Sequence, residues 1–179
     1  MANVLQGLMA RLRDLVHVET VAILLRSDDE REFAMQAAIG LEGEVDAKIR
    51  VPFDQGVAGR IAAHGAPVIV DDLTTVDVYS PLLRESGIRS LLGAPLLVEG
   101  RVVGVLHVGS LRARRFTKDD AQLLGVVADR VALALSQSRL YEAERSARER
   151  AARLAPEPQT TPGQIPGGVR IPYPAPLSP

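Results

Sequence analysis

At 179 residues, 46% of them hydrophobic and 24% charged, the chain carries apolar material for one ordinary core and not for two. Its 21 Lys and Arg nearly cancel 22 Asp and Glu, giving a formal charge of -1, so no global field draws it to nucleic acid or to anionic lipid. Cysteine is absent, which excludes disulfides, thiolate metal sites, thiol nucleophiles and sulfur-linked chromophores, and which suits a reducing cytoplasm.

In chain order, the opening MANVLQGLMARLRDL lacks the charged-then-apolar order of a signal peptide, and no uncharged apolar run reaches the ~18 residues of a membrane span. A cytoplasmic protein without a membrane partner is expected. Leu5, Leu8, Leu12 and Leu15 recur at spacings of three and four, which predicts a helix from about residue 2 to 16 with one apolar stripe that needs a partner. Thr20–Arg26 and Arg31–Ile39 are apolar runs on either side of Ser27, Asp28, Asp29 and Glu30, the pattern of an antiparallel hairpin. Ile49–Phe53 and Pro67–Val70 read as two more strands, bracketing a helix of roughly Val57–His64 that Gly65 closes. Ser90–Val98 and Arg101–Gly109 flank the two-residue turn Glu99-Gly100 and are apolar enough for the middle of a sheet.

Thr117, Asp119 and Asp120 read as the cap and acidic first turn of a helix from about 118 to 153. Leu124, Val127, Val131, Ala134, Ser138 and Tyr141 carry its apolar spacing. Beyond Tyr141 the pairs Glu144/Arg148 and Glu149/Arg153 support an exposed helix, either a solvated extension or a signalling helix that pairs with its copy. Eight of the 12 prolines follow Ala155, so residues 155–179 are expected to be an extended, solvated tail outside the domain at 1–154.

The chemistry on offer is sparse. His17, His64 and His107 are too scattered in sequence to suggest a metal cluster by spacing. Asp71 and Asp72 are adjacent strand-end acids whose side chains point to opposite faces, which argues for turn capping over acid–base work. Arg112, Arg114, Arg115 and Lys118 form a basic loop without interleaved aromatics, so no nucleic acid is expected. No catalytic residue and no metal site is assigned.

Three stretches in order then resemble one family. VPFDQGVAGRIAAHGAPVIVDDL (51–73), GIRSLLGAPLLVEGRVVGVLHVGS (87–110) and FTKDDAQLLGVVADRVALAL (116–135) look like the middle, the closing hairpin and the final helix of a GAF domain. The resemblance implies an α+β (α/β) fold: a central antiparallel sheet of about six strands flanked by helices, with the long N- and C-terminal helices packed on one face. It also implies a ligand pocket under loops and short helices on the other face. It does not name a ligand, and the cofactor is unknown. The family's cyclic-nucleotide pattern is only half met, with Phe116 and Asp120 present, Ala121 in place of a Glu, and no Asn-Lys pair before them. Covalent bilin binding and the family's methionine-sulfoxide reductase chemistry both depend on cysteine.

A mainly apolar pocket needs a few donors and acceptors, and Asp72, Tyr79, Arg89, Ser90 and His107 are the candidates. Arg89 beside LLGAPLLV wants an anionic partner, which is either a ligand or an internal acid such as Asp72. A parallel homodimer is expected through Leu5, Leu8, Leu12 and Leu15 together with Leu124, Val127 and Val131. The function so implied is a non-catalytic sensor that binds a small molecule and relays its occupancy through dimeric terminal helices to an effector kinase, phosphatase or transcription regulator. The alternative is a dimerisation or protein-interaction module without a ligand.

Overall fold

Alternating apolar residues in the inner strands give the sheet two dry faces, and helices cover both. A computed structural model of the chain describes residues 2–154; the expected proline-rich tail at 155–179 lies outside the described residues. The elements run α1 (Ala2–Val16), β1 (Thr20–Arg26), β2 (Glu32–Ile39), α2 (Glu42–Asp46), β3 (Arg50–Pro52), α3 (Gly56–His64), β4 (Val68–Val70), a 3-10 turn (Leu73–Thr75), α4 (Pro81–Glu85), β5 (Ser90–Val98), β6 (Arg101–Ser110) and α5 (Lys118–Leu154). The six strands form one sheet in the order β3-β2-β1-β6-β5-β4, and every neighbouring pair is antiparallel. The β5–β6 turn is closed by Glu99 and Gly100, both at positive φ (50° and 76°), the backbone that matches the twist of a two-residue hairpin.

Val21 and Ile23 on β1, Leu92, Ala94 and Leu96 on β5, and Leu106 and Val108 on β6 face one way. There they meet Met9, Leu12 and Val16 of α1 and Leu124, Ala128, Val131 and Ala132 of α5. The alternate residues Ala22, Leu24, Leu91 and Val105 face the other way, against Val57, Ala58 and Ile61 of α3 and Leu83 of α4. The terminal helices thus share one face, as the family resemblance implied, and the short helices take the other.

The apolar stripe expected to be the dimer surface packs on the domain's own sheet. Leu12, Leu124 and Val131 are buried, and Leu5, Leu8 and Val127 are half-buried against the same cluster. Of the seven residues assigned to a dimer, only Leu15 is turned outward, at 63% exposure. The other exposed large apolar residues of α5 up to Leu140 are Val126, Leu133 and Leu140, one every seventh position. Periodicity identified the correct helices, but a stripe of this width first serves the nearest apolar surface, which is the sheet.

One guanidinium fastens the ends of the terminal helices. Arg114 donates from Nη1 to the carbonyls of Val16 (2.5 Å) and His17 (3.1 Å), and its Nη2 lies 3.5 Å from Asp120 Oδ2. Asp120 in turn accepts from Thr117 N (2.8 Å) while Thr117 Oγ1 accepts from Asp120 N (3.1 Å), a reciprocal cap at the start of α5. The compact unit ends at Leu140. From Tyr141 the described chain is a second unit, helical to Leu154, with the ion pairs Arg145–Glu149 (2.9 Å) and Arg148–Glu144 (3.9 Å) along it. No described helix is long and apolar enough to cross a membrane.

Candidate functional site

The site is a small, partly open cavity between the sheet and the short helices. Its walls are apolar: Leu24, Met35, Ile49, Val51, Val57, Ala58 and Leu83. Four polar residues join them, Glu44, Tyr79, Ser80 and His107. The volume is about 30 Å³, room for a water-sized guest.

Each polar group is put there by a local feature. His107 sits on β6 with Ala22 of β1 and Gly93 of β5 as its ladder neighbours, so small residues flank the imidazole on both sides. A Cβ at Gly93 would run into Ile61 Cδ1 and lie 3.5 Å from His107 Cβ. The missing side chain therefore leaves α3 room to pack through Ile61. His107 is buried and its Nδ1 makes no hydrogen bond. Burial alone pulls its pKa from the ordinary 6.5 down to about 4, so the ring is neutral at pH 7.

Glu44 lies in α2 and is 2% exposed. Ser80 Oγ donates to Glu44 Oε1. Ser80 is also the N-cap of α4, accepting from Leu83 N at 3.2 Å, with Pro81 at the first helical position. Burial pushes the Glu44 carboxyl up, against the opposing pull of hydrogen bonds from Ser80 and the Leu83 amide. Gly56 opens α3 at φ +62°, and a Cβ there would stand 3.0 Å from Tyr79 Cβ and 3.2 Å from Tyr79 N. Only glycine combines that backbone with so close an approach, and the contact fixes Tyr79, 44% exposed, against the start of the helix.

Of the five ligand candidates read from sequence, the structure brings Tyr79 and His107 together at the cavity and leaves three elsewhere. Ser90 is buried but engaged: its Oγ donates to Asp71 O (2.8 Å) and accepts from Arg114 N (2.9 Å). Asp72 is half-buried and caps the 3-10 turn, accepting from Thr74 N (3.0 Å) and Thr74 Oγ1 (2.6 Å). Those two bonds, the side-chain one first, hold its carboxyl below the ordinary carboxylate value, with the charge of Arg89 adding to them.

Arg89 is exposed. Its backbone is what the sheet uses, its N–H donating to Ser110 O (2.8 Å) and its carbonyl accepting from Leu73 N (2.7 Å). Arg89→Ala is therefore expected to leave the melting temperature of the ligand-free protein unchanged, within the ~0.5 kcal/mol usual for surface positions. A thermal melt showing a clear drop would restore the buried internal ion pair considered from sequence.

Glu44 and Ser80 are the residues that sequence reasoning missed. The available signal was Ser80-Pro81, a good cap followed by a proline at the first helical position. Among the described residues no group of three or more His, Asp or Glu could hold a metal ion.

Comparison with known proteins agrees with this architecture. The family model of the GAF domain matches residues 1–135, three quarters of the sequence, and the chain belongs to the GAF domain family. The "Phosphoenolpyruvate-dependent phosphotransferase system" protein of Escherichia coli (strain K12) is 27% identical over 124 residues, covering 68% of this chain and 17% of that protein. The "Nif-specific regulatory protein" of Herbaspirillum seropedicae is 28% identical over 137 residues, covering 72% of this chain and 25% of that one. Among solved structures, the GAF domain of a phosphoenolpyruvate-protein phosphotransferase from Coxiella burnetii superposes with a TM-score of 0.68 at 22% identity, over 75% of this chain and 82% of that one. The chain spans less than a fifth of the first of these relatives. What it shares with them is a regulatory module of the GAF class.

Proposed function

We propose that the domain is a non-catalytic sensor. A small molecule held in the cavity of Glu44, Tyr79, Ser80 and His107 alters the short helices α2 and α4, and occupancy is relayed through α1 and α5 to an effector such as a kinase, phosphatase or transcription regulator. The observation that carries this reading is His107 Nδ1, a buried polar atom without a partner on a residue that lines a mainly apolar cavity. Such an atom is costly unless something completes it. The reductase and bilin chemistries stay excluded for this chain by its lack of cysteine.

A cavity of about 30 Å³ implies that α2 and α4, five residues each, swing outward to admit anything larger than water. Helices of a single turn are suited to that. The test is a thermal-shift screen against metabolites and nucleotides. A ligand of the folded state at ~100 times its dissociation constant adds about 2.7 kcal/mol. The shift should vanish when Ala58, a wall residue of the cavity, is replaced by Leu.

The second reading, a dimerisation or interaction module without a ligand, is favoured by the exposed residues Val126, Leu133 and Leu140, spaced by sevens on α5. A screen without hits, combined with a stable dimer in sedimentation, would select it.

A further inference from the structure

The cavity holds a carboxyl group and no cationic side chain to match it. Glu44, 2% exposed, has the Ser80 hydroxyl as its side-chain partner. No Lys or Arg lines the cavity, and among the described residues no cation lies within salt-bridge distance of the carboxylate. The imidazole on the same cavity wall offers an unpartnered Nδ1.

A buried carboxylate without a counter-ion is costly in its charged form. An anionic guest would make matters worse by meeting Glu44 with nothing positive to receive it. A neutral apolar guest would leave His107 Nδ1 bare. A guest carrying a positive charge and more than one N–H satisfies both groups, donating to Glu44 and to Nδ1 of the neutral ring. The size is consistent, because about 30 Å³ accepts an ammonium group and not a whole metabolite. A longer stem would leave past Tyr79, the half-open member of the wall.

We propose that the ligand recognised in this cavity is an ammonium group, either the free ion or the head of a small primary amine, bound between Glu44 and His107. The proposal rests on the sensing reading and names the chemistry of its ligand.

The experiment uses the full chain, ¹⁵N-labelled at its histidines, with ammonium, methylammonium and n-butylammonium chlorides as probes. Potassium chloride, tetramethylammonium chloride and n-butanol serve as controls for ionic strength, for charge without N–H, and for the apolar stem. At roughly five times the dissociation constant a true ligand raises the melting temperature by about 2–4 °C. The expected result is that rise with ammonium salts and not with the controls. It should be accompanied by a shift of the His107 Nδ1 resonance and lost in Glu44→Gln.

A rise with ammonium but not n-butylammonium identifies the free ion, and the reverse order identifies an amine with a stem; both support the proposal. Equal behaviour of amines and controls, with His107 unmoved, overturns it. If anionic or neutral metabolites stabilise the protein while amines do not, the ammonium assignment falls and sensing stands. If nothing stabilises it, both fall. Should Glu44→Gln fail to fold, the His107 resonance of the unmodified protein still decides.

Discussion

Leu12→Glu is expected to unfold the domain, whereas Leu15→Glu should leave it folded. The two positions were equivalent as members of one stripe, and the structure separates them. Leu12 is 3% exposed and packed with Val21, Leu106 and Leu124 in the core under the terminal helices, while Leu15 is 63% exposed. Truncating such a buried leucine costs about 2–5 kcal/mol, and placing a carboxylate there adds desolvation with no cation to offset it. Against a total stability of about 5–15 kcal/mol for a domain, the sum removes most or all of the native population. At Leu15 the charge stays in water, and the change should be within ~0.5 kcal/mol. Urea titrations of both variants, with sedimentation beside them, check this. A Leu12→Glu protein with native stability that only loses self-association would mean that α1 turns its buried stripe to a partner.

The second large effect is a loss of stability on acidification, localised to one histidine. Folded His107 takes up its proton near pH 4, against an ordinary value of 6.5, because the ring is wholly buried. The pKa is depressed on folding, so the unfolded chain binds the proton first. The stability tied to the neutral ring is complete above pH 6.5 and drains away as the pH falls toward 4. The difference of 6.5 − 4 = 2.5 units, at ~1.36 kcal/mol each, bounds the loss at about 3 kcal/mol. Glu44 acts with the opposite sign. Its carboxyl is raised by burial, so its contribution is present below the ordinary carboxylate value and is lost as the pH rises through the raised one. The two windows overlap, and only a difference curve isolates each. Unfolding free energies at pH 7, 5.5 and 4.5 for the unmodified protein and for His107→Gln should converge by about 2 kcal/mol by the most acid point, short of the full bound because pH 4.5 still lies above the folded value. A constant gap would show that the ring is charged or solvated in the native state.

How much of this was legible in sequence depended on element length. The helix through Leu5–Leu15, the hairpin around Glu99-Gly100 and the long final helix each offered ten or more residues of periodic pattern, and all three stand within a residue or so of where the pattern put them. The five-residue helices α2 and α4 hold barely one turn, too short for any period to register. Glu44 therefore carried no signal in the sequence, since its burial is decided by Leu83 and Ser80 across the cavity and not by its own neighbours.

Arg89 drew attention through its charge, yet charge is what carries a side chain to water. The neutral His107 needed only the small residues Ala22 and Gly93 beside it to be enclosed. That pairing is invisible until the strand register is known. The stripe on α1 and α5 showed which face was apolar and left open which surface would cover it.

The strand order carries a consequence for how the chain becomes a protein at all. The central pair of the sheet joins β1 to β6, with Thr20 opposite Gly109 and Leu25 opposite Gly104, so the middle of the fold is closed by residues some eighty positions apart. Hairpins β1–β2 and β5–β6 can zip locally, but neither face of the sheet is continuous until those distant segments meet. Closing that loop costs entropy before any native contact compensates it, which places folding toward the slow, millisecond-to-second end of the scale for small domains. On the ribosome, β1, paired with β2 on one side, must wait with its other edge open until Ser110 has left the exit tunnel. During that interval its free edge is the segment most in need of protection from other nascent chains.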